Sequence, residues 1–176
     1  MRDNGGGALL IDILRLLVFP ALMAFAAASD LLTMRISNRI PLFLIAGFAA
    51  LAFGSGMMAA DVAAHVAAGL VVLIVAFAFF AFGWIGGGDA KLAAAVALWF
   101  GWDLLLPFVL YSSVLGGALT LLIMQARQFV MPSRLACHEW VQRLQQQDAG
   151  IPYGIALAAA ALIIYPDSAF MKSFGG

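Results

Sequence analysis

The sequence predicts an all-α protein, a polytopic bundle of membrane-spanning helices. Hydrophobic residues make up 65% of the 176-residue chain and charged residues only 10%, against about 45–50% and about 25% in ordinary soluble domains. The mean hydropathy of +1.04 is too high for a water-soluble core, so membrane lipid is the expected solvent and partner. Because backbone polar groups in lipid must be satisfied within the segment, helices are favoured over open strands.

The apolar residues fall into about six stretches long enough to consider as membrane spans, divided by glycine, proline and charged residues. Their approximate bounds are 9–30, 40–56, 61–83, 90–103, 105–126 and 151–171. The fourth is the shortest, and Asp103 and Pro107 blur its boundary with the fifth. The spans leave no room for a sizeable soluble domain, so residues 1–176 are predicted to form a single integral-membrane domain.

The basic residues predict the orientation, since Lys and Arg concentrate in short cytoplasmic loops. Most of them lie in the first, third and fifth connectors: Arg35, Arg39, Lys91, Arg127, Arg134 and Arg143. The second and fourth connectors contain none, and the remaining basic residues oppose the trend: Arg2, Arg15 and Lys172. The odd connectors are therefore predicted to be cytoplasmic and both termini to lie outside the cytoplasm. Three tryptophans near span ends fit an aromatic belt at the interface: Trp84, Trp99 and Trp102.

The first apolar stretch has an alternative interpretation. Residues 26–28, three alanines before Ser29, resemble the small-residue cleavage site of a signal peptide. The stretch is long, contains Asp12 and Arg15, and has no basic segment before it, which favours a span. Asp12 and Arg15 stand three residues apart on one helical face, so we expect them to pair locally.

The only long connector runs over residues 127–150. Four of its residues follow the i, i+3, i+4, i+7 spacing of an amphipathic helix: Cys137, Trp140, Val141 and Leu144. We expect this helix to lie on the cytoplasmic interface. A solvated linker helix is the simplest interpretation, and a surface that guides a substrate toward the membrane is the alternative.

Net charge and cysteine content exclude several classes of function. The formal net charge is zero, which gives no reason to expect nucleic acid as a partner. Cys137 is the only cysteine, so neither an internal disulfide nor a multi-cysteine metal cluster is possible. We expect no metal and no cofactor.

Acidic residues at membrane depth are costly and indicate function by default. In the predicted orientation, Asp61, Asp103 and Asp167 lie at the outer side. Asp30 ends the first span and Asp89 begins the fourth, both at the cytoplasmic side. These are the only acids at cytoplasmic span ends, where helix packing can bring them together, and they are the candidate catalytic residues.

Asp89 follows three glycines, Gly86 to Gly88, between two apolar spans. Glycine permits positive φ and the close approach of another chain, and a peptidase needs that access for an extended substrate. In the alternative interpretation the glycines form a tight turn and Asp89 simply caps the next helix.

Two motifs carry a resemblance to a known family. Residues 86–92, Gly-Gly-Gly-Asp-Ala-Lys-Leu, match the GxGDxKL motif of the GxGD-type aspartic prepilin and preflagellin peptidases. Asp30 and the basic stretch that leads to Asn38 resemble the region of that family's other aspartate, with Ser37 where the family usually has proline. Residues 151–156, Ile-Pro-Tyr-Gly-Ile-Ala, are similar to the opening of the family's last span.

The resemblance implies a membrane-embedded aspartic endopeptidase of the bacterial inner membrane. Its substrate would be a prepilin or pseudopilin, cut at the cytoplasmic side after a glycine that ends the short leader. The chain lacks the cysteine-paired insertion of two-function family members, so it resembles the peptidase-only branch associated with Flp-type pili, and we expect no methyltransferase activity. The implied catalytic residues are Asp30 and Asp89, and the implied supporting residues are Gly86, Gly88, Lys91 and Asn38.

Two neighbouring carboxyl groups cannot both ionise comfortably, so one stays protonated. The ionised one can activate a water while the acid polarises the scissile carbonyl and protonates the leaving amine. Helix-dipole arguments predict Asp89 as the base, at a helix start, and Asp30 as the acid, at a helix end.

Two other functions fit a polytopic protein. A transporter would use intramembrane acids as an ion pathway, but the key acids here are at span ends. His65, the one polar candidate near the midplane, is interpreted as a helix-packing hydrogen-bond donor. A non-catalytic pilus-assembly subunit explains the spans but not the coincidence of Asp30 with the glycine-framed Asp89.

Overall fold

The structure is a computed structural model that describes residues 5–129, 138–146 and 150–172. Every regular element in those ranges is helical, which confirms the all-α prediction. The elements are α1 (Gly5–Thr33), α2 (Arg39–Gly54), α3 (Ala59–Ala81), α4 (Gly87–Ala126), α5 (Glu139–Gln145), α6 (Tyr153–Ile164), the 3₁₀ turn Tyr165–Asp167 and α7 (Ala169–Lys172).

Among the described residues, four helical segments are long and apolar enough to cross a membrane: Ile11–Thr33, Ala59–Ala81, Gly87–Ala126 and Tyr153–Lys172. Large apolar side chains cover their outer surfaces; Phe25, Ile74 and Val114 are 60%, 68% and 70% exposed. Soluble monomers rarely expose extended apolar patches, so these surfaces support the membrane assignment. α2 has 16 residues, about 24 Å of helix, which is shorter than the roughly 30 Å hydrocarbon core. The number of crossings and the orientation stay predictions.

The longest helix, α4, is broken at Gly101, whose φ of 60° and ψ of −163° are not helical. The break lies two residues before the predicted boundary near Asp103. A Cβ at Gly101 would lie 3.0 Å from the His65 ring. Nδ1 of His65 lies 2.8 Å from the carbonyl oxygen of Leu98, in the turn before the break, where regular helical partners end. This hydrogen bond supports the packing interpretation of His65.

The break at Gly101 divides α4 into two arms, residues 87–100 and 102–126. Tyr153 of α6 donates its hydroxyl to the Ser112 carbonyl oxygen at 3.2 Å and interacts electrostatically with Asp89. In a straight helix, residues 89 and 112 would be about 35 Å apart, beyond the reach of one tyrosine. The chain therefore folds back at Gly101, so that the start of the first arm lies near the second arm, at the end of the bundle that holds Asp30.

The opposite end of the bundle is an aromatic core around Trp99, which is fully buried. Its ring centroid lies 5.0 Å from Phe19 and 5.2 Å from Phe170, and its indole N–H donates to the Leu44 carbonyl oxygen at 2.9 Å. The aromatic-belt prediction is therefore wrong for Trp99, because the fold-back at Gly101 turns it inward. Trp84 and Trp102 are exposed, as the prediction requires.

Further polar contacts lie away from Asp30. Asp12 and Arg15 form the predicted ion pair at 3.6 Å, although Arg15 is buried. The predicted connector helix is present as α5, with Val141 buried; Cys137 lies outside the described residues. Arg127 Nε donates to the Leu144 carbonyl oxygen at 2.8 Å, which fastens α5 to the end of α4.

Candidate active site

Asp30 lies in the last turn of α1 and is only 5% exposed. Its Oδ2 accepts a hydrogen bond from the Gly154 backbone N–H at 2.7 Å, and the Ile155 amide contributes a second backbone contact. Both amides belong to the first turn of α6, and the Ile155 N–H also donates to the Pro152 carbonyl oxygen at 3.3 Å. The carboxyl group of Asp30 therefore accepts a hydrogen bond from the start of α6, which lies about 120 residues later in the sequence.

Asp89 is the third residue of α4, whose N-cap is Gly86. Its carboxyl group folds back onto the Gly86 backbone amide, as an acidic residue at this position does in a capping box. The N-cap is therefore Gly86 rather than Asp89, and the Asp89 carboxyl group contacts the N-cap backbone from the third position of the helix. Oδ1 of Asp89 is buried and has no hydrogen-bond partner among the described residues, so it is available for a proton, a water or a substrate group.

The glycines before Asp89 provide close approach rather than unusual backbone angles. A Cβ on Gly86 would lie 2.8 Å from Asp89 Oδ2, and one on Gly87 would lie 3.2 Å from the Phe80 ring. A Cβ on Gly88 would lie 3.1 Å from Cβ of Ile36, in the loop after α1. Positive φ occurs at Gly83, before the motif, and not at these three positions.

Asp30 and Asp89 are close enough to interact electrostatically. Ile36 lies between Gly88, which precedes Asp89, and Gly154, which binds Asp30. Its Cβ faces Gly88, and its Cδ1 would lie 2.6 Å from a Cβ on Gly154. The structure therefore brings the two predicted acids into one cluster, formed by the end of α1 and the starts of α4 and α6.

The loop that carries Ile36 is fastened to the end of α1. The hydroxyls of Ser29 and Thr33 donate to the Arg35 carbonyl oxygen at 2.8 Å and 3.1 Å. Met34 has a φ of 52°, uncommon for a residue with a side chain, and its N–H donates to the Asp30 carbonyl oxygen at 2.8 Å. These contacts stop the helix sharply and direct the chain toward α4.

Lys91 and Asn38 form a contact of their own beside the acids. The Lys91 ammonium donates to the Asn38 Oδ1 at 2.8 Å, and both side chains are exposed. This hydrogen bond joins α4 to the residue that precedes α2. Ser37, in the family's proline position, accepts the Ile40 N–H at its carbonyl oxygen at 3.0 Å, so the turn into α2 forms without proline.

Sequence reasoning missed the roles of Ile36, Tyr153 and Gly154. The sequence marks residues 151–156 only as the start of a span. A glycine in the first turn of an apolar helix lowers helix stability. Its presence there is a signal that another segment packs closely against its backbone. The Gly154 amide also shows that Asp30 meets a helix start, so the dipole argument for its protonation is incomplete. That assignment stays a prediction.

The chain also matches a known protein family. The model of the type IV leader peptidase family matches residues 17–121, more than half of the chain. This chain belongs to the type IV leader peptidase family. The matched segment contains both aspartates, the Asn38 loop, the first arm of α4 and most of the second, and it ends before Gly154. No match to a curated protein or to a solved structure was found.

The acid cluster of this leader peptidase consists of carboxyl groups without further metal-ligating side chains. Within residues 5–129, 138–146 and 150–172, no group of three or more His, Cys, Asp or Glu side chains could hold a metal ion. The chemistry available at the Asp30 and Asp89 cluster is that of two carboxyl groups, which can exchange protons with water and with a peptide.

Proposed function

We propose that this leader peptidase is an aspartic endopeptidase that uses Asp30 and Asp89 to remove the short leader of type IV, Flp-like prepilins. The observation that carries the proposal is that two separate motifs supply two interacting acids, and that one buried oxygen of Asp89 has no hydrogen-bond partner within the described part of the chain. A structural ion pair would need a cation there, and Lys91, two residues after Asp89, is bonded to Asn38 instead.

In the proposed reaction, the ionised carboxylate removes a proton from water, and the resulting hydroxide attacks the scissile carbonyl carbon. The protonated carboxyl donates a hydrogen bond to the carbonyl oxygen and then gives its proton to the leaving amine. The C–N bond breaks, leaving a leader that ends in a carboxylate and a mature pilin with a free amine. No metal or cofactor takes part, and no methyl group is transferred.

The family implies a prepilin-type substrate, and the location of the acids fits that substrate. They lie at a helix end, in a protein whose lateral surface is apolar. A prepilin with a basic leader and a hydrophobic helix would place the junction between the two at the membrane interface, with the basic leader in the cytoplasm. We infer that the cut is made there, at the cytoplasmic face of the inner membrane.

The test is co-expression with a candidate Flp-type prepilin, followed by separation of precursor from mature pilin. Asp30→Asn and Asp89→Asn should each abolish processing while the protein still inserts into the membrane, because Asn keeps the shape but cannot exchange protons. Asp61→Asn is the matched control: Asp61 is exposed in the first turn of α3. Normal processing by either active-site variant would refute the assignment.

A further inference from the structure

The start of α6 contacts Asp30 at a glycine. The Gly154 N–H donates to Asp30 Oδ2 at 2.7 Å, and a Cβ at residue 154 would lie 2.8 Å from that oxygen and 3.1 Å from Cγ. Real Cβ atoms essentially never come within 3.0 Å of another heavy atom. Alanine would therefore push the carboxyl group away from its amide donor.

The same glycine also faces the loop that supports Asp89. A Cβ there would lie 2.6 Å from Ile36 Cδ1. Ile36 in turn packs against Gly88, which directly precedes Asp89. Gly154 thus lies at the junction of the three segments that form the acid cluster.

The position of Gly154 is fixed from outside the cluster. The Tyr153 hydroxyl donates to the Ser112 carbonyl oxygen at 3.2 Å, and the Tyr153 ring packs directly against Gly116. The second arm of α4 therefore holds the first turn of α6 against Asp30.

We propose that Gly154 is a positioning residue for Asp30: its backbone amide holds Oδ2, and its missing side chain lets α6 approach closely enough for the carboxyl group to face Asp89. The effect of Gly154 on catalysis rests on the proposed function, whereas the hydrogen bond between Gly154 and Asp30 does not. Gly154 lies outside the segment that matches the family.

The first measurement is cleavage kinetics of purified enzyme on a prepilin. Gly154→Ala should lower kcat by about 10- to 100-fold, since a displacement of about 1 Å in a catalytic group costs that much. KM should stay within about twofold, because the substrate-binding surface is unchanged. Gly117→Ala is the matched control: Gly117 lies on the second arm of α4, and a Cβ there meets nothing within 4 Å.

A second background separates Asp30 from Ile36. Ile36→Val removes Cδ1, the loop atom that a Cβ at residue 154 would meet. The loss of kcat caused by Gly154→Ala should persist in Ile36→Val protein. If Ile36→Val restores kcat, the loop contact alone explains the defect and the proposal is overturned.

The last measurement needs no activity. Thermal unfolding in detergent should show that Gly154→Ala lowers the Tm of the wild type more than it lowers the Tm of Asp30→Ala protein, in which the carboxyl group is gone. An equal Tm loss in both backgrounds overturns the proposal. If the wild type cleaves no prepilin, the proposed function fails. The comparison of the two Tm losses still decides whether Gly154 holds Asp30.

Discussion

The break in α4 can be tested by a single substitution, Gly101→Ala. The φ of 60° and ψ of −163° at Gly101 belong to a region that is essentially restricted to glycine, and holding another residue there costs about 1–3 kcal/mol. The new Cβ would also lie 3.0 Å from two atoms of the His65 ring. Overpacking of this kind costs about 1–3 kcal/mol. The two penalties together predict a loss of about 2–6 kcal/mol of unfolding free energy.

For a chain of this length each kcal/mol shifts the Tm by about 2–4 °C, so Gly101→Ala should lower it by at least about 4 °C. The assay is thermal unfolding in detergent, followed by tryptophan fluorescence. Gly117→Ala provides a control of opposite sign, because alanine at an open helical position stabilises by about 0.5–1 kcal/mol. In His65→Ala protein the steric part disappears, and the cost of Gly101→Ala should fall to the backbone strain alone.

A Tm that rises in Gly101→Ala, as it should in Gly117→Ala, would refute the reasoning. Residue 101 would then have helical dihedral angles, and α4 would be one continuous helix of about 60 Å. Asp89 and Ser112 could not both lie near Tyr153 in such a helix. The second arm of α4 would then no longer hold the start of α6 at the proposed active site.

The remaining predictions concern the polar contact beside the acids and the topology. Lys91→Ala should change stability by less than about 1 kcal/mol, because exposed charged contacts are worth little, and should change cleavage only a few-fold. Asn38→Ala should have the same effect, and the double variant should be no worse, which unfolding and kinetics of all three proteins would check. Reporter fusions after Arg39 should read cytoplasmic, and those after Asp103 and Lys172 external; a cytoplasmic signal after Lys172 would overturn the predicted orientation.

The sequence by itself predicted the membrane as solvent, the helical secondary structure and the two candidate acids. A hydrophobic content of 65% can be accommodated only by lipid, and lipid favours helices because backbone groups must be satisfied locally. Asp30 and Asp89 could be found because each stands in a local motif, and because charges at membrane depth are costly enough to need a function. These properties depend on composition and near neighbours, which a linear sequence states directly.

Only the tertiary structure decided which groups complete the cluster. Gly154 lies more than 120 residues from Asp30 in the chain, and Ile36 and Gly88 meet across two different segments. The burial of Trp99 and the reversal at Gly101 likewise depend on how α4 packs against α1, α2 and α3. A glycine in a sequence indicates where the backbone has extra conformational freedom. It does not indicate which neighbouring residue would clash with a side chain at that position. The requirement for glycine arises from contacts between distant segments, and the packing of α6 against the end of α1 is what created it at Gly154.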